Sequence, residues 1–312
     1  EKCYSKSRTF SVKYIVSGEV NMEKSESLHA VKGKSEKIVF AVFFVIFFLY
    51  ALSLLYPMVW MFFSSLKKSL EYEAGDPFAL PKYWKFENYL TSFRTLKVGE
   101  TGYFGMIWNS LWINVLSIAE GVFVSAAVCY VVAKISFPGR KVVYSVIILQ
   151  MMLPIYGSMA PALLLSKNLN IYDTPLQVII SSLAVGGSKF LILQAFFKGI
   201  PWEYAEAAYM DGASHWQVFV KIMFPQALAP MMTFAITDFI GGWNDYMTSL
   251  IWLPSFPTLA TGLYKYEAAM IRSINYPVYF CGVIISAIPV LTVFICFRDT
   301  FMSSLSMGGL KG

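Results

Sequence analysis

Charged side chains are scarce in this sequence. Asp, Glu, Lys and Arg make up 14% of its 312 residues, hydrophobic residues make up 57%, and the mean hydropathy is +0.57. A soluble domain usually has about 25% charged residues. The deficit argues against a soluble protein and indicates a chain whose surface faces lipid.

Histidine and cysteine are also few. The two histidines, His29 and His215, lie far apart in the chain, and the four cysteines show no Cys-x-x-Cys spacing. We therefore expect no metal site and no site that depends on histidine. The sequence shows no Ser/His/Asp grouping, no metal-ligand cluster and no arrangement of paired carboxylates that supports a membrane enzyme, so we expect no catalytic residue.

Two further absences limit the partners and cofactors. The sequence has no Gly-x-x-x-x-Gly-Lys-Ser/Thr phosphate loop, so any ATP hydrolysis must take place on a partner chain, which would bind the ATP and magnesium. We expect no cofactor on this chain. The net charge is +6, but the basic residues are spread over loops rather than along one helix face, which argues against binding of nucleic acid.

Long hydrophobic runs are what the sequence has in abundance. A helix needs about 20 apolar residues to cross a bilayer. Six runs are long enough, and we predict an all-α integral membrane protein with six transmembrane helices. The runs are 38–63, 107–133, 142–165, 176–197, 227–253 and 278–297. Prolines and glycines interrupt the third and fifth runs, which fits a translocation path and ordinary packing kinks about equally.

The distribution of Lys and Arg favours a cytoplasmic location for both termini. Residues 1–37 are too acidic for a secretory signal, so we expect the first run to be a retained anchor. Many aromatic residues in 64–106 predict a folded extracytoplasmic loop. The predicted segments are a cytoplasmic segment 1–37, a first transmembrane helix 38–63, the loop 64–106, a core of five spans 107–300 and a cytoplasmic tail 301–312.

The stretch 201–225, between the fourth and fifth runs, is the longest of the predicted cytoplasmic loops between spans. Its sequence predicts two short helices. Pro201 suits the first helical position, Gly212 suits the left-handed conformation that ends a helix, and Ser214 can cap a second helix that runs to Pro225.

The first of these helices has the features of a docking element. Glu203 and Glu206 lie early, where the helix dipole favours anions. Ala205, Ala208 and Tyr209 share one face, and Ala207 leaves another side of the helix slim. A short rigid helix of this kind can seat in a cleft on another protein, and the alternative is an amphipathic helix that rests on the membrane surface.

The same stretch resembles a known motif. The pattern is Glu206-Ala207-Ala208, then three residues, Gly212, nine residues and Ile222-x-Phe224-Pro225. It resembles the EAA loop of type I ABC importer permeases, with Phe224 in place of leucine. In that family the loop docks on a cytoplasmic ATPase subunit and couples it to the membrane helices. The resemblance implies the following coupling residues: Glu203, Glu206, Ala207, Ala208, Gly212, Ile222 and Pro225.

Three weaker stretches resemble the maltose-type sugar permeases within that class. They are the segment 84–89, the pair of segments 243–246 and 257–263, and the glycine-rich terminus 308–312. The resemblance implies a type I importer permease in the bacterial plasma membrane that carries sugars, oligosaccharides in particular. It also implies a second homologous permease, two ATPase subunits and an extracytoplasmic sugar-binding protein as partners. In that family the tail reaches the ATPase, which implies contacts from Gly308, Gly309 and Lys311.

The residues of the translocation path are less well defined. Trp243, Asn244 and Asp245 offer an aromatic plate and hydrogen-bonding groups that suit a sugar, but they suit the end of a span equally well.

Ionisable residues also lie within the apolar runs. Glu120, Lys189 and Asp238 are costly in a bilayer, so we expect them to face a cavity or each other, and Glu120 is a candidate for the pathway. Two alternatives remain. One is an importer of the same class with a non-sugar solute, and the other is an ion-coupled secondary transporter in which Glu120 or Asp238 binds the ion.

Overall fold

The computed structural model describes residues 34–153, 157–269 and 275–307, with side chains between Lys37 and Arg298. These residues form helices joined by turns, and the strand-like pairing among them is limited to an isolated bridge between Val98 and Thr101. The predicted all-α fold is confirmed.

Fifteen α-helices and one π-helical turn make up the described part of the chain. In chain order they are α1 Lys34–Ser65, α2 Ser69–Ala74, α3 Glu87–Thr95, α4 Tyr103–Lys134, α5 Arg140–Met152, α6 Met159–Asn168, α7 Pro175–Ser182, α8 Gly187–Gly199, α9 Glu203–Met210, α10 His215–Val218, the π-turn Phe219–Met223, α11 Phe224–Gln226, α12 Leu228–Asn244, α13 Met247–Trp252, α14 Leu259–Ala269 and α15 Tyr276–Met307.

The chain divides into two compact units between Tyr56 and Pro57. The described part of the first unit is the first portion of α1, in which every side chain from 37 to 56 is exposed. This portion is apolar on all sides, which is the composition of a helix surrounded by lipid. The second unit holds the end of α1 and all the helices that follow.

Three described helices, α1, α4 and α15, are long and apolar enough to cross a membrane. The number rises to five if each of two bent helix pairs counts as one span. The third predicted run falls on α5 and α6, between which residues 154–156 lie outside the described part. The predicted count of six spans therefore stays a prediction.

The fourth and fifth predicted runs are not single helices. The fourth breaks into α7 and α8, which meet at 55° where Gly187 has φ +69°. In the fifth, α12 ends at Asn244, and Asp245 has an extended conformation. The Asp245 carboxylate accepts hydrogen bonds from the backbone of Met247 and Thr248, at 2.9 and 3.1 Å, so it caps α13 instead of continuing α12.

The predicted segment boundaries also differ from the helix bounds. The helix α15 continues to Met307 and so passes the predicted start of the tail at 301. The helix α1 begins at Lys34, and residues 1–33 lie outside the described part. The predicted division into membrane and aqueous segments stays a prediction.

Two apolar clusters of buried residues lie at opposite ends of α4. One contains the start of α4 at Tyr103 and Met106 and packs against α14, Trp243 and α15. The other contains the last two turns of α4, from Ala126 to Ala133, and packs against α8 and the loop 201–225. The long helix α4 therefore connects both clusters.

The predicted loop 64–106 is folded. Lys67 is buried with 2% exposure, and its ammonium donates to the carbonyls of Asp76 and Pro77 at 3.3 and 3.2 Å. Burial raises the pKa of Tyr89 above its ordinary value, so its hydroxyl, 3.2 Å from Ser65 Oγ, stays protonated at neutral pH. These contacts hold the segment to the end of α1, as its aromatic composition predicts.

Candidate functional site

A polar cavity of about 450 Å³ lies between α4, the α7–α8 break, α12 and the start of α13. Most of its lining side chains are hydroxyls, amides, charged groups or glycines. Its polar lining residues are Asn114, Ser117, Ser125, Ser181, Ser182, Ser188, Lys189, Asp238, Asp245, Thr248, Ser249 and Thr258. Such a wall offers hydrogen-bond donors and acceptors to a polar solute inside an otherwise apolar bundle.

An ion pair crosses this cavity. Lys189 Nζ on α8 lies 2.5 Å from Asp238 Oδ2 on α12, with the two side chains 40% and 27% exposed. The prediction that the ionisable residues within the apolar runs face a cavity or each other is confirmed for this pair. Because the two opposite charges offset each other, the pair lowers the cost of placing them at membrane depth. It also links α8 and α12 across the cavity.

The helices α4 and α12 approach closely at the edge of the cavity. Asn114 is buried with 4% exposure and donates to the carbonyl of Ser110 at 2.9 Å. Its side-chain oxygen occupies the position where a side chain at Gly242 would begin. Gly242 is therefore the residue that permits this crossing, because any larger residue would collide with Asn114.

The three consecutive candidates Trp243, Asn244 and Asp245 point in different directions. Asp245 lines the cavity. Trp243 is buried with 2% exposure, and its indole N–H donates to the carbonyl of Ser286 at 2.8 Å. Asn244 is exposed and donates to the carbonyl of Ile240 within its own helix at 2.8 Å. The three do not form one site, although contact of any of them with a solute stays a prediction.

Glu120 is not among the residues that line this cavity. Its Oε2 atom is buried and has no hydrogen-bond partner among the described residues. The side chain is on α4, one residue before Gly121, which does line the cavity. Its predicted place on the pathway stays a prediction.

The loop 201–225 folds as two helical segments joined by a tight turn. The first, α9, begins at Glu203, so Pro201 lies before the helix and not at its first position as predicted. Trp202 takes the capping position, and its carbonyl accepts from the backbone N–H of Ala205 and of Glu206. Gly212 has φ +84°, the left-handed conformation that its sequence position predicts.

The second helical segment begins with a capping box. Gln217 N donates to Ser214 Oγ at 3.3 Å, and Ser214 N donates to Gln217 Oε1 at 2.8 Å. This confirms the predicted cap at Ser214. The helix then continues through the π-turn and past Pro225 to Gln226, and α12 follows at an angle of 72°.

One face of α9 packs on the chain itself. Ala205 has 0% and Ala208 has 9% exposure, and both belong to the apolar cluster at the end of α4 and α8. Glu203, Glu206 and Ala207 are exposed on the other side. The small side chain of Ala208 therefore serves close packing within this chain, whereas the two glutamates lie on the exposed face of α9.

The remaining predicted coupling residues belong to the second segment. Ile222 is half-buried and packs against the same apolar cluster, and Pro225 is exposed. The predicted tail contacts Gly308, Gly309 and Lys311 lie outside the described residues. A coupling role for any of these residues stays a prediction.

Aromatic rings join the loop to α4. The ring of Phe219 lies 5.1 Å from Tyr130 and 6.0 Å from Phe123 between centroids, and Phe224 lies 5.8 Å from Phe123. At the end of α4, Lys134 donates to the carbonyls of Lys198 and Ile200, where the chain enters the loop. Pairs of rings at these distances stabilise a fixed arrangement.

This arrangement connects the loop mechanically to the cavity. The same two helices, α4 and α8, hold the loop at one end and line the cavity further along, and α12 follows the loop directly. Because the interior is close-packed, a displacement of the loop moves these helices instead of being absorbed locally. A partner that pushes on α9 would change the shape of the cavity.

Sequence reasoning missed most of the cavity. Ser117, Ser182 and Thr248 come from three separate parts of the chain and show no common spacing. The available signal was the number of hydroxyl residues and glycines within apolar runs, which indicates close helix packing as readily as a cavity.

Known proteins resemble the chain over most of its length. The diacetylchitobiose uptake system permease protein of Streptomyces coelicolor is 28% identical, with 87% of this chain and 89% of that protein covered. The arabinooligosaccharides transport system permease protein of Bacillus subtilis is 29% identical, with 88% and 97% covered. A solved bacterial ABC transporter involved in the import of the acidic polysaccharide alginate has the same fold, with a TM-score of 0.75 and 22% identity, over 87% of this chain and 99% of the other.

The segment that contains the loop and most of the cavity lining identifies the family. Residues 121–301 match the family described as "Binding-protein-dependent transport system inner membrane component". The match covers more than half of the chain, from α4 to α15. The chain therefore belongs to the family of inner membrane components of binding-protein-dependent transport systems.

Proposed function

We propose that this chain is one permease subunit of an ATP-driven importer that carries sugars, oligosaccharides in particular, into a bacterial cell. The main support is the loop 201–225, which presents an exposed helix outside the predicted spans while its buried face is packed on α4 and α8. A chain with this loop and no phosphate-binding loop of its own needs a partner that hydrolyses ATP.

The cavity supports the proposed cargo. Sugars present many hydroxyl groups, and the wall offers hydroxyls from Ser117, Ser182 and Thr248 together with the carboxylate of Asp245. The relatives from Streptomyces coelicolor and Bacillus subtilis are named for the uptake of diacetylchitobiose and of arabinooligosaccharides. A neutral oligosaccharide therefore suits both the polar wall and the relatives.

The proposed assembly contains a second homologous permease, two cytoplasmic ATPase subunits and an extracytoplasmic sugar-binding protein. In this arrangement both termini and the loop 201–225 face the cytoplasm. Glu203, Glu206 and Ala207 contact the ATPase. Ala208 and Ile222 keep α9 and the second segment packed on the membrane helices, Gly212 sets the turn between the two segments, and Pro225 stiffens the last turn before α12. Gly308, Gly309 and Lys311 of the tail are further proposed contacts with the ATPase. ATP and magnesium bind to the partner subunits.

Solute uptake in the bacterium that encodes the chain tests this proposal. We expect deletion of the chain to abolish uptake of one labelled oligosaccharide, from a panel that includes diacetylchitobiose and arabinotriose, and to leave amino acid and glycerol phosphate uptake unchanged. Uptake should return when the intact chain is supplied. Loss of a non-sugar solute instead would contradict the proposed cargo.

A second arm of the experiment tests the energy source. We expect membrane vesicles loaded with ATP to take up the solute even when an ionophore collapses the ion gradients. Vesicles prepared without ATP should take up none. The opposite pattern would indicate an ion-coupled secondary transporter, in which Asp238 or Glu120 binds the ion.

A further inference from the structure

A second cavity lies away from the polar cavity, at the end of the bundle where the loop 201–225 is attached. Its volume is about 540 Å³, and it is enclosed by the end of α4, the start of α5 and the end of α8. Its lining residues are Val132, Arg140, Lys141, Tyr144, Ser145, Gln194 and Lys198. Three of these side chains are cationic and none is acidic.

The positive charge of this cavity is largely uncompensated. Arg140 uses one guanidinium nitrogen to donate to the carbonyl of Ala133 at 2.8 Å, and its other nitrogens remain for a ligand. Within the part of the chain that the structure describes, Lys141 and Lys198 make no side-chain hydrogen bond and no ion pair. Three cations without a counter-ion in one cavity attract an anion.

The shape of the cavity indicates which anion. A shallow apolar groove of about 330 Å³ adjoins it and shares Lys141 and Ser145 with it. The groove then follows α5 along Val142, Val146 and Leu149, whose side chains are 65%, 57% and 55% exposed. A cationic cavity that continues into an apolar groove along a helix matches a molecule with an anionic head and a hydrocarbon tail.

The position in the bundle agrees with such a ligand. Lys134 ends the membrane-crossing helix α4, Arg140 begins α5 and Lys198 lies in the last turn of α8, so all three mark one boundary of the apolar region. Basic cavities between membrane helices at the cytoplasmic surface suit the head groups of anionic lipids. Arg140 can hold a phosphodiester through two N–H groups, and the two lysines add point charges.

We propose that Arg140, Lys141 and Lys198 form a binding site for the phosphate head group of an anionic phospholipid, whose acyl chain lies in the groove along Val142, Val146 and Leu149. The bound lipid fills the space between α5 and α8 next to the residues where the loop 201–225 begins. This site is independent of the cargo and of the ATPase, because it needs only a chain embedded in a bilayer.

Lipid retention measured by native mass spectrometry tests the proposal. The full-length chain is purified in the complex in which it is expressed and is offered equal amounts of phosphatidylglycerol and phosphatidylcholine. We expect phosphatidylglycerol to be retained about tenfold more than phosphatidylcholine, because two exposed lysines and an arginine act on the anionic head group. Equal retention of both lipids would overturn the proposal.

A pair of matched variants locates the site. Lys141→Gln/Lys198→Gln removes the two exposed charges, leaves Arg140 in its hydrogen bond and should lower the preference for phosphatidylglycerol several-fold. The control Lys85→Gln/Lys97→Gln removes the same amount of charge from exposed positions in the segment 64–106. This control should keep the preference for phosphatidylglycerol. An unchanged preference in the first variant, or an equal loss in the control, would overturn the site.

Two further arms separate the lipid from other occupants. Added inorganic phosphate should not displace phosphatidylglycerol, since the free anion lacks the acyl chain, and displacement would show a simple anion site instead. A phosphatidylglycerol with a photoreactive acyl chain should form adducts within residues 140–152. Adducts found only elsewhere would contradict the groove as the site of the acyl chain. If a neighbouring subunit protects Val146→Cys from a lipid-soluble maleimide, protein and not lipid covers this groove.

Discussion

The loop 201–225 and the polar cavity are built in opposite ways. The loop is fixed by dense apolar packing, in which Ala205, Val218 and Met223 are each 0% exposed. The cavity wall instead brings polar groups together between packed helices, as in the Lys189–Asp238 pair and the close approach of Asn114 to Gly242. The difference indicates that the loop moves as a rigid piece with α4 and α8, whereas the cavity can change shape when those helices move.

The two regions should respond differently to substitution. The four substitutions below are ordered from the largest to the smallest expected change in the stability of the folded chain. Loop-core changes should destabilise the chain, whereas changes at exposed loop residues should alter uptake alone.

The largest effect is expected at Phe219, which is 3% exposed and lies among Phe123, Tyr130 and Phe224. Phe219→Ala should lower the free energy of unfolding by about 3–5 kcal/mol, because it leaves a void in a packed aromatic cluster. The thermal stability of the purified complex and the amount of chain in the membrane measure this. Trp216→Ala, at a 60% exposed position, is the control and should change stability by about 1 kcal/mol or less. Equal losses would mean that the loop has no packed core.

The second effect is expected at the helix crossing beside the cavity. Gly242→Ala places a methyl group where the Asn114 side-chain oxygen lies, and should cost about 1–3 kcal/mol of stability. Gly241→Ala is the matched control, because a methyl group there meets open space.

The double variant Gly242→Ala/Asn114→Ala tests the cause. Removal of the Asn114 amide makes room for the added methyl group, so part of the stability and of the uptake should return. A double variant no better than Gly242→Ala alone would contradict the close approach of α4 and α12.

The third effect concerns the ion pair across the cavity. Lys189→Met leaves the Asp238 carboxylate without its partner and should reduce uptake, whereas Lys189→Met/Asp238→Leu removes both charges and should recover part of it. Because both side chains are partly exposed, the coupling free energy in a double-mutant cycle should stay below about 1 kcal/mol. If uptake by the double variant is lower than uptake by both single variants, each charge has an individual role in transport.

The smallest change in stability, with a large change in uptake, is expected at Glu206. This side chain is exposed in the first turn of α9, so Glu206→Lys should cost only about 0.3–1 kcal/mol through the helix dipole. Uptake should nevertheless be lost while the chain remains in the membrane and ATP hydrolysis by the partner continues. Lys221→Glu, at an exposed position of the second segment, is a charge-reversal control and should have a smaller effect. Normal uptake with Glu206→Lys would contradict the coupling role.

The two regions also differ in how far the sequence predicts them. The loop was predictable because its determinants are local: the left-handed Gly212 and the capping box of Ser214 and Gln217 lie within six residues. Pro201 was the exception, since α9 begins two residues later, at Glu203, and not at the proline as predicted. Local signals of this kind act through the backbone of the same few residues, so spacing alone identifies them.

The cavity was not predictable because its determinants are distant in the sequence. Ser117, Ser182 and Thr248 lie on α4, α7 and α13, and they line one cavity only because these separate parts of the chain pack together. Conversely, Trp243, Asn244 and Asp245 are adjacent in sequence, yet a helix end directs them to a buried pocket, an exposed surface and the cavity wall. Proximity along the chain therefore predicts a loop well and a cavity poorly.

The proposed coupling requires that α9 faces the cytoplasm and that an ATPase subunit covers it. Met210, at the end of α9, is 88% exposed and suits a single cysteine in a chain without its four native cysteines. Met210→Cys should react with a membrane-impermeant maleimide in inside-out vesicles and not in intact cells, and added ATPase subunits should protect it. Labelling from the outside, or labelling that the ATPase leaves unchanged, would contradict the proposal that a partner's ATP hydrolysis moves this loop.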